Sequence, residues 1–154
     1  LEEGRPMFLR RPDSHLGLAN FMRSHLYASL ATLKIGLDIL LKEEDVKIDS
    51  ITGHGGLFKT KGVGQSILAA AMNAPISVME TAGEGGAWGM ALLAAYMLSK
   101  KDGQSLGDYL DSRVFAERKS ETMEPDLADV AGFETYTKQY QACLAAEKAA
   151  VQAF

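Results

Sequence analysis

Ile51-Thr52-Gly53-His54-Gly55-Gly56-Leu57-Phe58-Lys59-Thr60-Lys61-Gly62-Val63-Gly64-Gln65 is the stretch that decides how this chain is read. A short β-branched run ends in closely spaced glycines, and a helix-forming segment follows. Glycine lacks a Cβ, so it takes positive φ and lets a ligand come close to the backbone. The helix beyond points its free N–H groups and the positive end of its dipole back toward the loop. Strand, glycine turn and helix in that order are one way to hold a nucleotide, and they are also an ordinary strand-to-helix turn. On local chemistry alone the two readings carry equal weight.

Working outward, the pattern repeats. Val63, Ile67, Leu68 and Ala71 predict a helix that ends at Asn73-Ala74-Pro75, because proline cannot continue it. Ile76-Ser77-Val78-Met79 reads as a strand. A second glycine cluster, Ala82-Gly83-Glu84-Gly85-Gly86, leads into a helix whose apolar face is Ala87, Met90, Ala91, Ala94, Ala95 and Leu98. Upstream, Met22, Leu26, Leu30, Leu33, Leu37 and Leu40 alternate spacings of three and four, one face of a long helix. Asn20 is its expected N-cap, and Lys42-Glu43-Glu44-Asp45 its end. Val46 to Thr52 then reads as the strand feeding the glycine loop, and Pro6 to Arg10 as a short edge strand. Strands separated by helices predict an α/β fold with mostly parallel pairing.

Past Lys100 the character turns helical and polar. Leu106, Tyr109, Leu110 and Val114 suggest a short helix, 116–124 a loop, and Pro125-Asp126 the start of a last helix with Phe133, Tyr136, Tyr140, Leu144 and Val151 as its stripe. At 154 residues the chain is the size of one domain. A net charge of −4 leaves no basic stripe for phosphodiester backbones, so no nucleic-acid partner is expected. The single Cys143 forms no internal disulfide, which fits a reducing cytoplasm. No apolar run reaches membrane-spanning length. The chain opens at Leu1 within a Gly-Arg-Pro loop, as expected of a piece of a larger protein.

Few residues announce chemistry. His15, His25, His54 and Cys143 lack metal-ligand spacing, so no metal site is expected. His25 reads as structural, whereas His54 lies inside the glycine loop and could flank a nucleotide. Lys59 and Lys61 follow the glycines, where an ammonium could meet phosphate, although exposed loop lysines are commonplace. Trp88 reads as a core anchor before a base-stacking ring. Glu80 and Glu84 stand where a carboxylate suits a helix dipole. No Gly-x-Ser-x-Gly elbow is present.

The order of these motifs resembles the C-terminal domain of the FGGY carbohydrate kinases, which include xylulokinase, ribulokinase and glycerol kinase. Gly53-His54-Gly55-Gly56-Leu57-Phe58 stands for their Gly-Gly-Gly-Ala-Lys-like adenosine loop. Ala74-Pro75-Ile76-Ser77-Val78 stands for a Pro-led strand, and Glu84-Gly85-Gly86-Ala87-Trp88-Gly89-Met90-Ala91 for a Glu-Gly-x-Ala-x-Gly-Ala-Ala helix start. Arg23-Ser24-His25-Leu26 and Arg5-Pro6-Met7-Phe8 extend the likeness upstream, so that it covers most of residues 5 to 100. Leu57-Phe58 replaces the family's Ala-Lys, Thr60-Lys61-Gly62 lengthens the loop, and Tyr27-Ala28 stands where Glu-Gly is usual.

The resemblance implies an actin-like, ribonuclease-H-like ATPase domain with a small, mostly parallel sheet and packed helices. It implies that residues 1–154 are the nucleotide-binding half of an ATP- and Mg²⁺-dependent sugar kinase with a pentulose such as xylulose as acceptor; the residues it does not cover, from about 101–154, read as a helical tail. Gly53, His54, Gly55, Gly56, Leu57, Phe58 and Gln65 are the nucleotide-binding residues it implies. No catalytic residue is carried over, since the catalytic aspartate and sugar pocket of the family belong to an N-terminal domain. Sugar would therefore reach this chain only through that domain, and a homodimer stays open. Two other readings remain: a non-catalytic actin-fold regulator that binds nucleotide, and a helical interaction module whose glycines are only turns.

Overall fold

The computed structural model describes residues 3–80, 82–116 and 120–153. Helix α1 (Leu18–Lys42) is followed by strand β1 (Ile51–Gly53), a 3₁₀ turn (Gly56–Phe58), α2 (Val63–Met72) and β2 (Ile76–Met79). A second 3₁₀ turn (Ala82–Glu84), α3 (Gly85–Ser99), α4 (Leu106–Tyr109), a π-helical turn (Leu110–Val114), β3 (Ser120–Met123) and α5 (Leu127–Ala153) complete the order. These elements form two compact units, one of Leu1–Lys47, Ala70–Asn73 and Pro125–Phe154, the other of Ile48–Ala69 and Ala74–Glu124.

The first unit is built on α1 and α5. The ring of Tyr27 sits 4.9 Å from that of Phe133 and 5.1 Å from that of Tyr136, and Phe133 is fully buried. Leu30, Ala31 and Lys34 are the buried residues of α1. Its packed stripe is therefore Tyr27, Leu30, Ala31 and Lys34, rotated from the leucine stripe expected, while Met22, Leu33 and Leu40 stay exposed. Aromatic anchors bury more area than leucines, and they set the phase. Burial of Lys34 is made tolerable by Asp38, whose carboxylate accepts from Lys34 at 2.8 Å and from Lys42 at 3.0 Å. Partial burial pushes the Asp38 carboxyl up, but the two ammonium groups outweigh it and hold it below its ordinary value.

Two expectations at the start of this unit are corrected. The N-cap of α1 is Gly17, without a side-chain cap, and the Asn20 amide instead donates to the His15 carbonyl at 2.9 Å. Pro6 to Arg10 form no strand. The Arg5 amide just before them donates to the Glu147 carboxylate of α5, which spends it on a side chain where a ladder would need a carbonyl. At the other end, α5 starts where Pro125-Asp126 placed it: Asp126 Oδ1 accepts from the amides of Ala128 (2.8 Å) and Asp129 (3.1 Å), an N-cap.

The second unit holds the sheet, ordered β1-β2-β3. β1 and β2 are parallel, with Ile51 opposite Ile76 and Gly53 opposite Val78. β2 and β3 are antiparallel, with Ile76 opposite Met123 and Met79 opposite Ser120. The sheet is thus mixed, which corrects the mostly parallel sheet expected. The cause is β3, which lies within a stretch read as loop; the 117–119 part of that stretch falls outside the described residues. β1 is shorter than the run from Val46 expected, since its ladder to β2 begins only at Ile51. α2 ends as its sequence demands, with Asn73 in the left-handed region (φ 49°) ahead of Pro75.

α3 has apolar residues all round, so periodicity gave it no reliable inner face. Ala87, Ala91, Ala94 and Ala95 are exposed, as are Met90 at 70% and Leu98 at 90%, which corrects the face expected to pack. Trp88, Leu92 and Tyr96, one turn apart, are instead half-buried. The Tyr96 ring lies 5.4 Å from that of Tyr109, and its hydroxyl donates to the Gln104 carbonyl at 2.7 Å.

Candidate functional site

Two glycine turns meet at the ends of β1 and β2. In the first, each glycine answers a separate steric demand. Gly53 is buried at the end of β1 under the ring of Phe58, where a Cβ would come within 2.3 Å of Phe58 Cζ. Gly55 takes φ +101°, a conformation that side-chain-bearing residues rarely adopt. Gly64, in the first turn of α2, lies against the preceding 3₁₀ turn, and a Cβ there would come within 2.3 Å of the Leu57 carbonyl oxygen. Phe58 therefore folds back over its own strand, and Leu57 sits on α2. Open space lies where Cβ atoms would stand on Gly55, Gly56 and Gly86, so a ligand can reach that backbone.

The second turn lies against the first. A Cβ on Gly85 would meet His54 Nδ1 at 3.3 Å, and one on Gly83 would meet Lys59 Cγ at 3.3 Å. Lys59 Nζ pairs with Glu84 Oε1 at 2.8 Å. Glu84 occupies the N-cap position of α3 but makes no side-chain cap hydrogen bond. Its carboxyl lies below the ordinary glutamate value, held there by the hydrogen bond and charge of Lys59. Lys61 pairs with Glu121 of β3 at 2.9 Å, which holds its ammonium above the ordinary lysine value.

Two cavities open on these turns. The larger, about 570 Å³, is lined by His54 and Gly55 of the first turn, Gly85 and Gly86 of the second, and an apolar wall of Met79, Trp88, Gly89, Leu92, Leu93, Leu106, Leu110 and Phe115. Trp88 and Phe115 stand 6.0 Å apart with their planes tilted by 57°. The smaller, about 410 Å³, is lined by Phe58, Thr60, Lys61, Gly62, Gln65, Val78, Met79, Glu80, Ser120 and Glu121. The seven residues singled out from sequence are thus divided. His54 and Gly55 face the apolar cavity, Phe58 and Gln65 the polar one, and Gly53, Gly56 and Leu57 line neither.

Gln65 has a further role that only the fold reveals. It is buried, and its Nε2 donates to the Ile76 carbonyl at 2.7 Å and to the Glu121 carbonyl at 2.8 Å. One amide thereby ties β2, β3 and α2 together. Trp88 was legible as an anchor, and its place on the apolar wall follows from the helix phase. Leu106 and Leu110, read from sequence only as the face of a short helix, and Phe115, not singled out there, also line this cavity; they reach it through the chain path after α3. Among the described residues, no group of three or more His, Cys, Asp or Glu could hold a metal ion. No helix among them is long and apolar enough to cross a membrane. Cys143 is exposed and unpaired.

Residues 1–98 match the family model described as FGGY family of carbohydrate kinases, C-terminal domain. The match spans more than half of the chain, and the chain belongs to that family of sugar-phosphorylating transferases, whose C-terminal domain is of the actin-like ATPase type. No curated protein and no solved structure matches it.

Proposed function

We propose that this chain is the nucleotide-binding half of an ATP-dependent sugar kinase, with the base and ribose seated in the apolar cavity between the two glycine turns. The observation that supports this reading is the meeting of those turns: His54 over Gly85, open backbone at Gly55, Gly56 and Gly86, and a cavity walled by Trp88 and Phe115. An apolar slot bordered by approachable backbone suits a flat base and a phosphorylated ribose. In this reading Gly55 and Gly86 bring the backbone near the nucleotide and His54 flanks it. Phe58, Leu57 and Gly53 hold the turn in shape, and Gln65 anchors the sheet beneath it.

In this reading Mg²⁺ would arrive on the phosphates of the nucleotide. The acceptor sugar, a pentulose such as xylulose, and its general base belong to the N-terminal domain of such kinases. Closure of the two halves would exclude water from the transferring phosphoryl group. The alternative of a non-catalytic nucleotide-binding regulator rests on the altered Leu57-Phe58 pair alone.

Calorimetric titration with a non-hydrolysable ATP analogue and Mg²⁺ tests the reading. Saturable binding is expected, weakened at least tenfold in Gly86→Val, whose side chain would stand in the open space at the cavity. Equal affinity of the two proteins would sink this placement of the nucleotide.

A further inference from the structure

The nucleotide reading leaves the Lys59–Glu84 pair unused, yet it joins the two glycine turns, and Glu84 directly precedes Gly85 of the cavity wall. The Lys59 stem runs over Gly83, and its ammonium meets the Glu84 carboxylate at 2.8 Å. Both side chains are exposed, at 59% and 75%, so the pair is weak and costs little to open. Glu84 is not engaged in capping α3, although it sits at that position. The other cation of the first turn, Lys61, is already committed to Glu121.

Resting on the nucleotide assignment, we propose that Glu84 is an internal competitor for the phosphates. It occupies Lys59 while the site is empty and yields it to the phosphate nearest the ribose when nucleotide binds. The exchange sets how strongly the site rewards phosphorylated over unphosphorylated ligands. With Glu84 ionised, a phosphate must displace its carboxylate from Lys59, so affinity for charged nucleotides is held down. The glycine at 83 matters here because it lets the lysine stem lie flat across the second turn.

The test is a pair of titrations on the full chain, with adenosine and with a non-hydrolysable ATP analogue plus Mg²⁺, at low ionic strength. The proteins are wild type, Glu84→Gln, Lys59→Met and the double variant. Because both side chains are exposed, thermal melts should coincide and show that every variant is folded. Glu84→Gln is expected to tighten the triphosphate about two- to fivefold, the worth of an exposed ion pair, and to leave adenosine unchanged. That gain should vanish in the double variant and shrink with added salt. If adenosine binds and Glu84→Gln leaves the triphosphate unchanged, or the gain persists without Lys59, the competitor role is overturned and the nucleotide assignment survives. If neither ligand binds any of the proteins, the nucleotide assignment itself fails and this role falls with it.

Discussion

At the scale of single residues, the glycines of the first turn separate into kinds that mutation can tell apart. Gly53→Ala drives a methyl into the Phe58 ring and should destabilise the protein by about 1–3 kcal/mol, a loss read from urea unfolding and relieved in part when Phe58 is also replaced by Leu. Gly55→Ala meets no neighbouring atom but must hold φ +101°, so its cost of about 1–2 kcal/mol should persist in the Phe58→Leu background. Gln65→Leu strips the sheet carbonyls of Ile76 and Glu121 of their shared donor and should cost about 2 kcal/mol. The glycines were legible from sequence because their spacing is local. Gln65 was legible only as a first-turn residue of α2, because its partners lie 11 and 56 positions away.

At the scale of elements, the succession β1, turn, α2, β2, turn, α3 was legible, since each has a period or a breaker of its own. What escaped were features decided by partners. β3 is a polar, mostly exposed run (Ser120, Glu121, Thr122), and it is a strand only because β2 offers it an edge, with Ser77 and Thr122 hydroxyls bonded across the ladder at 2.8 Å. The faces of α1 and α3 escaped for the same reason: apolar residues were in excess, and aromatic pairing chose among them. Two elements carry predictions. Asp126→Ala removes the N-cap of α5 and should cost about 1 kcal/mol in a thermal or urea melt. Asp38 of α1 has a lowered folded value, so it binds fewer protons folded than unfolded. Its stabilisation is complete above the ordinary carboxylate range and is lost as pH falls through the lowered value. Asp38→Asn should therefore reduce stability at neutral pH and flatten the acid limb of the melting profile below about pH 4, while a parallel acid limb in both proteins would deny the role.

At the scale of the whole molecule, the motif order placed the chain in its family, and the fold accounts for that order by bringing two turns some thirty residues apart onto one cavity. The seven residues that resemblance pointed to do not line that cavity together, because Phe58 folds back over Gly53 and Gln65 turns to the sheet. That cavity is therefore formed less by the first turn alone than by its meeting with the second. The most direct test is an amide-resolved NMR titration of the chain with the ATP analogue and Mg²⁺. Saturable shifts clustered on Gly53 to Gly56 and on Gly85 to Gly89, with Trp88 indole among them, are the predicted result. Shifts confined to surface lysines, or centred on the polar cavity around Gln65 and Ser120, would contradict it.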